Sequence, residues 1–187
     1  MAEKRKNWNG LISGFSASDL VFLDESGCNT DMTRRYAYSF GGSRAVDSTP
    51  LSKPKNTTIL SSIQLNGTLH YTTFSGGTTV ERFKRYLETD LLPHLNGNSV
   101  LVMDNMKSHH AKAVKELLDS SGVRYIYLPP YSPDLNPIEK LWSKVKALLR
   151  KFKARTLDAL PNAIQNAFHS VTVSDCSGWF RFCRYVL

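Results

Sequence analysis

The feature that most constrains this chain is a short apolar run, Ser99–Asn105, that ends on a carboxylate. The run reads S-V-L-V-M-D-N, so four consecutive apolar residues precede Asp104. A strand without a polar face is typical of the centre of a parallel or mixed sheet. Sites in open α/β sheets lie beyond the carboxyl ends of such strands, which makes Asp104 a candidate functional residue. A role in beginning a turn or capping the next helix is the alternative.

The composition favours one basic globular domain. The chain has 187 residues, of which 41% are apolar, and its formal net charge is +8. Such a charge favours an anionic partner, nucleic acid first, with a merely solvated basic surface as the alternative. The three cysteines, Cys28, Cys176 and Cys183, form no C-x-x-C pair and indicate neither a zinc site nor a disulfide framework.

Nothing in the sequence predicts a membrane partner or an export signal. No apolar run approaches the roughly 18 residues of a membrane span. The charged start, M-A-E-K-R-K-N, is not followed by an apolar stretch, so no signal peptide is expected. We therefore expect a reducing, cytoplasmic setting.

The order of elements predicts an α/β fold with a mixed sheet flanked by helices. A hairpin is expected at Asn66-Gly67, the strongest turn signal in the chain. Antiparallel strands come first and alternating β/α units follow. Strands are predicted at 20–24, 36–40, 57–64, 68–74, 99–104 and 123–128, and helices at 80–91, 108–121, 138–152 and 157–168.

A second strand, L-V-F-L-D, also ends on an acid, Asp24. If the two strands are neighbours, Asp24 and Asp104 lie within a few ångströms, because paired strands are roughly 4.8 Å apart. Two carboxylates forced together raise each other's pKa and favour a cation between them. Mg²⁺ prefers oxygen ligands of this kind.

Glu139 is the third acid, in the proline-rich block P-P-Y-S-P-D-L-N-P-I-E at 129–139. An alternative role is helix capping, with Asn136 as N-cap, Pro137 at the first helical position and Glu139 in a capping box. Asp134 and Glu25 compete for the role of third acid. Glu25 is less favoured because it faces away from Asp24 if the strand continues.

Three segments together resemble the DDE transposases of the mariner superfamily, and most closely its bacterial insertion-sequence branch. They are L-D-E-S at 23–26, M-D-N at 103–105 with His109, and P-Y-S-P-D-L-N-P-I-E at 130–139 with Trp142. Thirty-four residues, 105–138, separate Asp104 from Glu139, which is the spacing of that branch. The resemblance implies an RNase H-like fold with Asp24, Asp104 and Glu139 as the catalytic, metal-binding triad.

The resemblance also implies a reaction. Two Mg²⁺ ions, replaceable by Mn²⁺, would be bridged by Asp24, with Asp104 holding one and Glu139 the other. An activated water would cut the transposon end, and the freed 3′-hydroxyl would attack target DNA at a TA step. A catalytically inactive DNA-binding or assembly module, and an RNase H-like nuclease that hydrolyses without strand transfer, are the alternatives.

The resemblance divides the chain into a lead-in (1–19), an RNase H-like DDE catalytic domain (20–170) and a tail (171–187). Relatives carry N-terminal helix-turn-helix domains that read the transposon ends, for which residues 1–19 leave no room. The chain is therefore expected to be the catalytic domain alone, either a truncated form or one product of a split reading frame. A homodimer in the bacterial cytoplasm, associated with the nucleoid, is the expected assembly.

Further residues are predicted to support the site or contact DNA. Asn105 and His109 match the family, and His109 is expected to orient a phosphate or support Asp104, unless it is a helix-surface histidine. Trp142 is predicted to be a core residue rather than a base-stacking platform. Backbone phosphate contacts are predicted for Arg34, Arg35, Arg44, Lys53 and Lys55 in loops and for Lys140, Lys144 and Lys151 on the last long helix.

Overall fold

The computed structural model describes residues 2–34, 36–51 and 54–186, without the side chains of residues 2–4 and 6. Its centre is a five-stranded mixed sheet with the strand order β3-β2-β1-β4-β5. The first three strands pair antiparallel, whereas β4 runs parallel to both β1 and β5. The strands are β1 (Leu20–Cys28), β2 (Thr57–Gln64), β3 (Leu69–Ser75), β4 (Val100–Met103) and β5 (Arg124–Tyr127).

Helices cover both faces of this sheet. After α2, a turn of π-helix, Leu87–Leu91, continues the chain toward β4. Among the described residues, no helix combines the length and apolarity that crossing a membrane requires. The helices are α1 (Ala2–Ile12), α2 (Val80–Tyr86), α3 (Lys112–Ser121), α4 (Ile138–Phe152), α5 (Ala159–His169) and α6 (Val173–Phe182).

The core has two layers because successive strand residues point to opposite faces. Val21 and Leu23 of β1 pack with residues of α2 and α3. Leu20 and Phe22 pack on the other face with residues of α4, α5 and α6. All four residues of β4 are buried, which confirms the prediction of a central strand covered on both sides.

Several sequence-based expectations need correction. The strand predicted at 36–40 is absent, and Tyr36 and Tyr38 are fully exposed. The helix expected to begin at Ser108 begins at Lys112, and the strand predicted at 20–24 continues to Cys28. The Asn66-Gly67 hairpin is confirmed: Gly67 has a φ of 88°, and the Asn66 side chain accepts a hydrogen bond from the Thr68 N–H.

Both ends of the chain are helical and contribute to the core. Trp8 of α1 and Phe180 of α6 are buried in the same cluster as Phe22. The Phe22 and Phe180 rings meet edge to face with centroids 5.4 Å apart. The residues before 20 and after 170 therefore help to cover one face of the sheet, whereas the predicted division of the chain at these positions remains a prediction. All three cysteines are buried and free.

Candidate active site

Asp24, Asp104 and Glu139 line a single cavity of about 760 Å³. Leu23 of β1 pairs with Met103 of β4 in parallel register. The residues that follow them, Asp24 and Asp104, therefore lie at the same edge of the sheet. Glu139 reaches the cavity from the first turn of α4. The walls also include Pro130, Tyr131, Ser132 and Pro133 of the proline-rich loop that precedes α4.

Asp24 is the most buried of the three acids. Its Oδ1 accepts the Glu25 N–H at 2.8 Å, and its Oδ2 accepts the Trp142 Nε1–H at 3.3 Å. Burial, followed by the nearby negative charges of Glu25, Asp104 and Glu139, raises the pKa of Asp24 to about 7. A carboxyl group that holds its proton this firmly is one that a divalent cation would help to ionise.

Asp104 lies at the mouth of the cavity, with 45% of its side chain exposed. Partial burial alone would raise its pKa, but hydrogen bonds from His109 and from the Met106 N–H outweigh that effect and lower it. Both donors contact the same oxygen of Asp104, Oδ1. His109 Nδ1 lies 2.8 Å from it, and the Met106 backbone nitrogen lies 2.9 Å from it. The hydrogen bond from the Met106 N–H shows that Asp104 begins a turn, which was the alternative role. Asp104 lines the cavity as well, so the two roles are compatible.

Glu139 is not a capping residue. Helix α4 begins without a side-chain cap, and among the described residues the buried Asn136 Oδ1 has no hydrogen-bond partner. The capping interpretation is therefore wrong, and the Glu139 side chain is exposed to the cavity. Asp134, one of the competing acids, forms an ion pair with Arg5 and is absent from the cavity lining.

Glu25, the other competing acid, alternates with Asp24 along β1, as predicted, but it also lines the cavity. Its Oε2 lies 3.2 Å from Nε2 of His109, whose ring is completely buried and stacks on Phe83 at 4.3 Å. Burial alone would lower the pKa of His109, but the carboxylates of Asp104 and Glu25 raise it to about 9. The alternative of a helix-surface histidine is wrong, and a fully buried ring cannot touch a phosphate.

Two further residues of α4 complete the cavity. Trp142 is a core residue, as predicted, and it also donates a hydrogen bond to Asp24. Lys146, which the sequence reasoning missed, lies one further turn along the same face and lines the cavity. The spacing of Glu139, Trp142 and Lys146 at i, i+3 and i+7 was the available signal. Asn105 donates through Nδ2 to the Leu128 carbonyl at 2.6 Å and so ties the loop after β4 to the chain leaving β5.

The donor chemistry of this cavity fits a hard divalent cation. Three carboxylates are the ligands that Mg²⁺ prefers, and its remaining positions are usually filled by water and substrate phosphate oxygens. Among the described residues, no three histidine, cysteine, aspartate or glutamate side chains already form a compact metal cage.

The predicted DNA-contacting residues differ in their surroundings. Lys144 pairs with Asp175, and Lys140 Nζ lies 3.8 Å from the ring centroid of Phe182, so α6 occupies both lysines. Of the three lysines on α4 for which DNA contacts are predicted, Lys151 is exposed, whereas Lys140 and Lys144 are half-buried. The loop residues Arg34, Arg44 and Lys55 are also exposed, whereas Arg35 and Lys53 lie outside the described residues.

The sheet order and the acids at its edge are those expected of an RNase H-like domain. The family profile described as DDE superfamily endonuclease matches residues 19–161. The chain therefore belongs to the DDE superfamily endonucleases.

Two curated relatives are transposases of nematodes. The chain is 29% identical over 97 residues to the transposable element Tc1 transposase of Caenorhabditis elegans, a match that covers 50% of this chain and 36% of the relative. It is 32% identical over 75 residues to the Tcb2 transposase of Caenorhabditis briggsae, covering 40% of this chain and 28% of the relative. The matches thus span about a third of each relative's length.

Solved structures give the same fold. A pre-cleavage Mos1 transpososome superposes with a TM-score of 0.81 at 20% identity, covering 98% of this chain and 59% of the Mos1 chain. The catalytic domain of Mos1 mariner transposase superposes with a TM-score of 0.73 at 16% identity, covering 98% of this chain and 88% of that domain. The predicted RNase H-like mixed sheet is confirmed.

Proposed function

We propose that this chain is the catalytic domain of a cut-and-paste transposase. It would use divalent ions to hydrolyse DNA phosphodiesters at transposon ends and would transfer the freed 3′-hydroxyl into target DNA. The observation that carries the proposal is the convergence of Asp24, Asp104 and Glu139 on one cavity. Membership in the DDE superfamily endonucleases and the similarity to Tc1 and Tcb2 transposases support it.

The three acids would hold two Mg²⁺ ions, with Mn²⁺ as a substitute. Such ions supply the Lewis acidity that activates a water and stabilises the leaving oxygen. Asp24 would give up its proton when the site is loaded, while Trp142 keeps its Oδ2 oriented. Asn105 and His109 would act as supporting residues, and Lys146, which lines the cavity, would offer a positive charge for a DNA phosphate.

The finer assignment rests on the motifs. The P-Y-S-P-D-L-N-P-I-E block and the thirty-four residues between Asp104 and Glu139 support the bacterial insertion-sequence branch, and with it a nucleoid-associated protein of the bacterial cytoplasm. We further propose a homodimer, a TA target step and a separate helix-turn-helix region that reads the transposon ends. DNA backbone contacts are proposed for Arg34, Arg35, Arg44, Lys53, Lys55 and Lys151.

Nicking of supercoiled plasmid tests the enzymatic part of this proposal. The wild-type chain with Mg²⁺ or Mn²⁺ should convert the plasmid to open circles, and Asp104→Asn should abolish the conversion. DNA retention without nicking by the wild-type chain would instead support an inactive DNA-binding module.

Joining of a pre-cut DNA end tests the transfer step. A duplex that exposes a 3′-hydroxyl should become covalently linked to target plasmid in a reaction that needs the metal and Asp104. Nicking without any joined product would identify a nuclease that lacks strand transfer and would contradict the transposase assignment.

A further inference from the structure

A buried carboxylate lies behind the active-site edge of the sheet. Glu25 follows Asp24 on β1 but faces the layer of α2 and α3, and only 11% of its side chain is exposed. Among the described residues, neither carboxylate oxygen of Glu25 has a hydrogen-bond partner. Burying an ionised group without compensation is costly, so a cation or a donor beside it is required. His109 is the basic group beside it: Nε2 lies 3.2 Å from Oε2, within ion-pair distance, although the two atoms do not have hydrogen-bond geometry.

Several contacts fix the position of His109. Its ring stacks on Phe83, its backbone N–H donates to the Met106 carbonyl, and its own carbonyl accepts the Tyr127 hydroxyl at 3.0 Å. The ring nitrogen opposite Glu25, Nδ1, contacts Asp104 Oδ1 at 2.8 Å. A single rigid imidazole therefore joins a buried acid on β1 to the cavity acid that follows β4.

We propose that Glu25 is a positioning residue, which acts through His109 to hold the Asp104 carboxylate with Oδ2 free for the cavity. This inference rests on the function proposed above, because it assigns Asp104 to the metal site. The His109 and Met106 contacts both use Oδ1, which leaves the second oxygen of Asp104 available. Groups that orient a ligand in this way typically change metal affinity or activity by 10–100-fold when they are removed.

Glu25 does not act as a ligand in this arrangement. Glu25 borders the cavity that Asp24 lines, but both of its carboxylate oxygens are buried, and Oε2 faces His109. Glutamine at this position keeps the shape and offers Nε2 of His109 a hydrogen-bond partner. Alanine removes the contact and frees the ring to rotate, so the two substitutions separate positioning from metal ligation.

A double-mutant cycle tests the proposal. Glu25→Ala, His109→Ala and the double variant are compared with wild type by Mn²⁺ affinity from calorimetry, by kcat and KM for plasmid nicking, and by thermal unfolding. We expect each single change to weaken Mn²⁺ binding and kcat by about 10–100-fold, and the double variant to be no worse than His109→Ala. Glu25→Gln should recover activity to within about 10-fold of wild type. Glu116→Ala, which removes an exposed acid of α3, is the matched control.

The negative results distinguish failure of the positioning role from failure of the proposed function. Additive losses of Mn²⁺ affinity and kcat in the double variant would overturn the positioning role. A Glu25→Gln variant that recovers no activity would also overturn it and would indicate that Glu25 is a direct metal ligand. A wild-type chain that neither nicks DNA nor binds Mn²⁺ would refute the proposed function instead. In that case crystal structures of metal-free wild type and Glu25→Ala decide the inference: a rotated Asp104 side chain supports it, and an unmoved one overturns it.

Discussion

The raised pKa of Asp24 makes a quantitative prediction for Asp24→Asn. The change removes the ionisable group but keeps a side chain of the same shape, close to that of the protonated acid. In the folded chain the pKa is raised from 3.8 to about 7, chiefly by burial and then by the neighbouring acids. The folded state therefore holds this proton more tightly than the unfolded chain between these two values.

The sign of the effect follows from proton linkage. The stability that this proton contributes is fully present below pH 3.8 and is lost as the pH rises through about 7. One pKa unit corresponds to about 1.4 kcal/mol. Between pH 5 and pH 8, the free energy of unfolding of wild type should fall relative to that of Asp24→Asn by about 2–3 kcal/mol.

Urea unfolding in EDTA, followed by tryptophan fluorescence at pH 5, 6, 7 and 8, measures this difference. Stability changes from groups that do not interact with Asp24 are common to both proteins and cancel in the difference. Asp134→Asn is the control, because the ion pair with Arg5 lowers the pKa of Asp134 and its contribution is constant above pH 5. A wild-type-minus-Asp24→Asn difference that does not change with pH would refute the claim that Asp24 is buried among like charges.

Three further predictions concern the helices. Phe180→Ala should lower the free energy of unfolding by about 3–5 kcal/mol in urea titrations, because α6 is part of the core; a loss below about 1 kcal/mol would contradict this. Lys153→Gly should melt higher than Lys153→Ala, by about 1 kcal/mol, because both variants lose the ion pair with Asp47 and only glycine relieves the φ of 53° that ends α4; equal melting temperatures would count against it. Lys151→Ala should reduce the salt dependence of DNA affinity by about one unit of slope, and Lys144→Ala should not; equal effects would show that the Asp175 pair opens on DNA.

The sequence predicted the central strands and the meeting of two acids because both depend on contiguous patterns. Val100–Met103 has no polar residue, so only a strand covered on both faces can contain it. Asp24 and Asp104 each end such a run, and a parallel pairing then brings them to one edge. The proline-rich block likewise fixes the start of α4 and the position of Glu139.

The remaining features depend on contacts between distant segments. The approach of Glu25 to His109 requires the pairing of β1 with β4 and the path of the loop after β4, neither of which a local pattern specifies. The strand predicted at 36–40 failed because alternating aromatic residues form a strand only where a partner strand exists. Helix α6 had a local signal that was overlooked: Thr172 and Asp175 form a capping box at its start.

Anomalous diffraction from crystals soaked in Mn²⁺ tests the central claim most directly. The account predicts manganese peaks in the cavity, coordinated by carboxylate oxygens of Asp24, Asp104 and Glu139, and their loss in Asp104→Asn crystals. A cavity without manganese at saturating concentration, or manganese bound without contact to these three side chains, would contradict it.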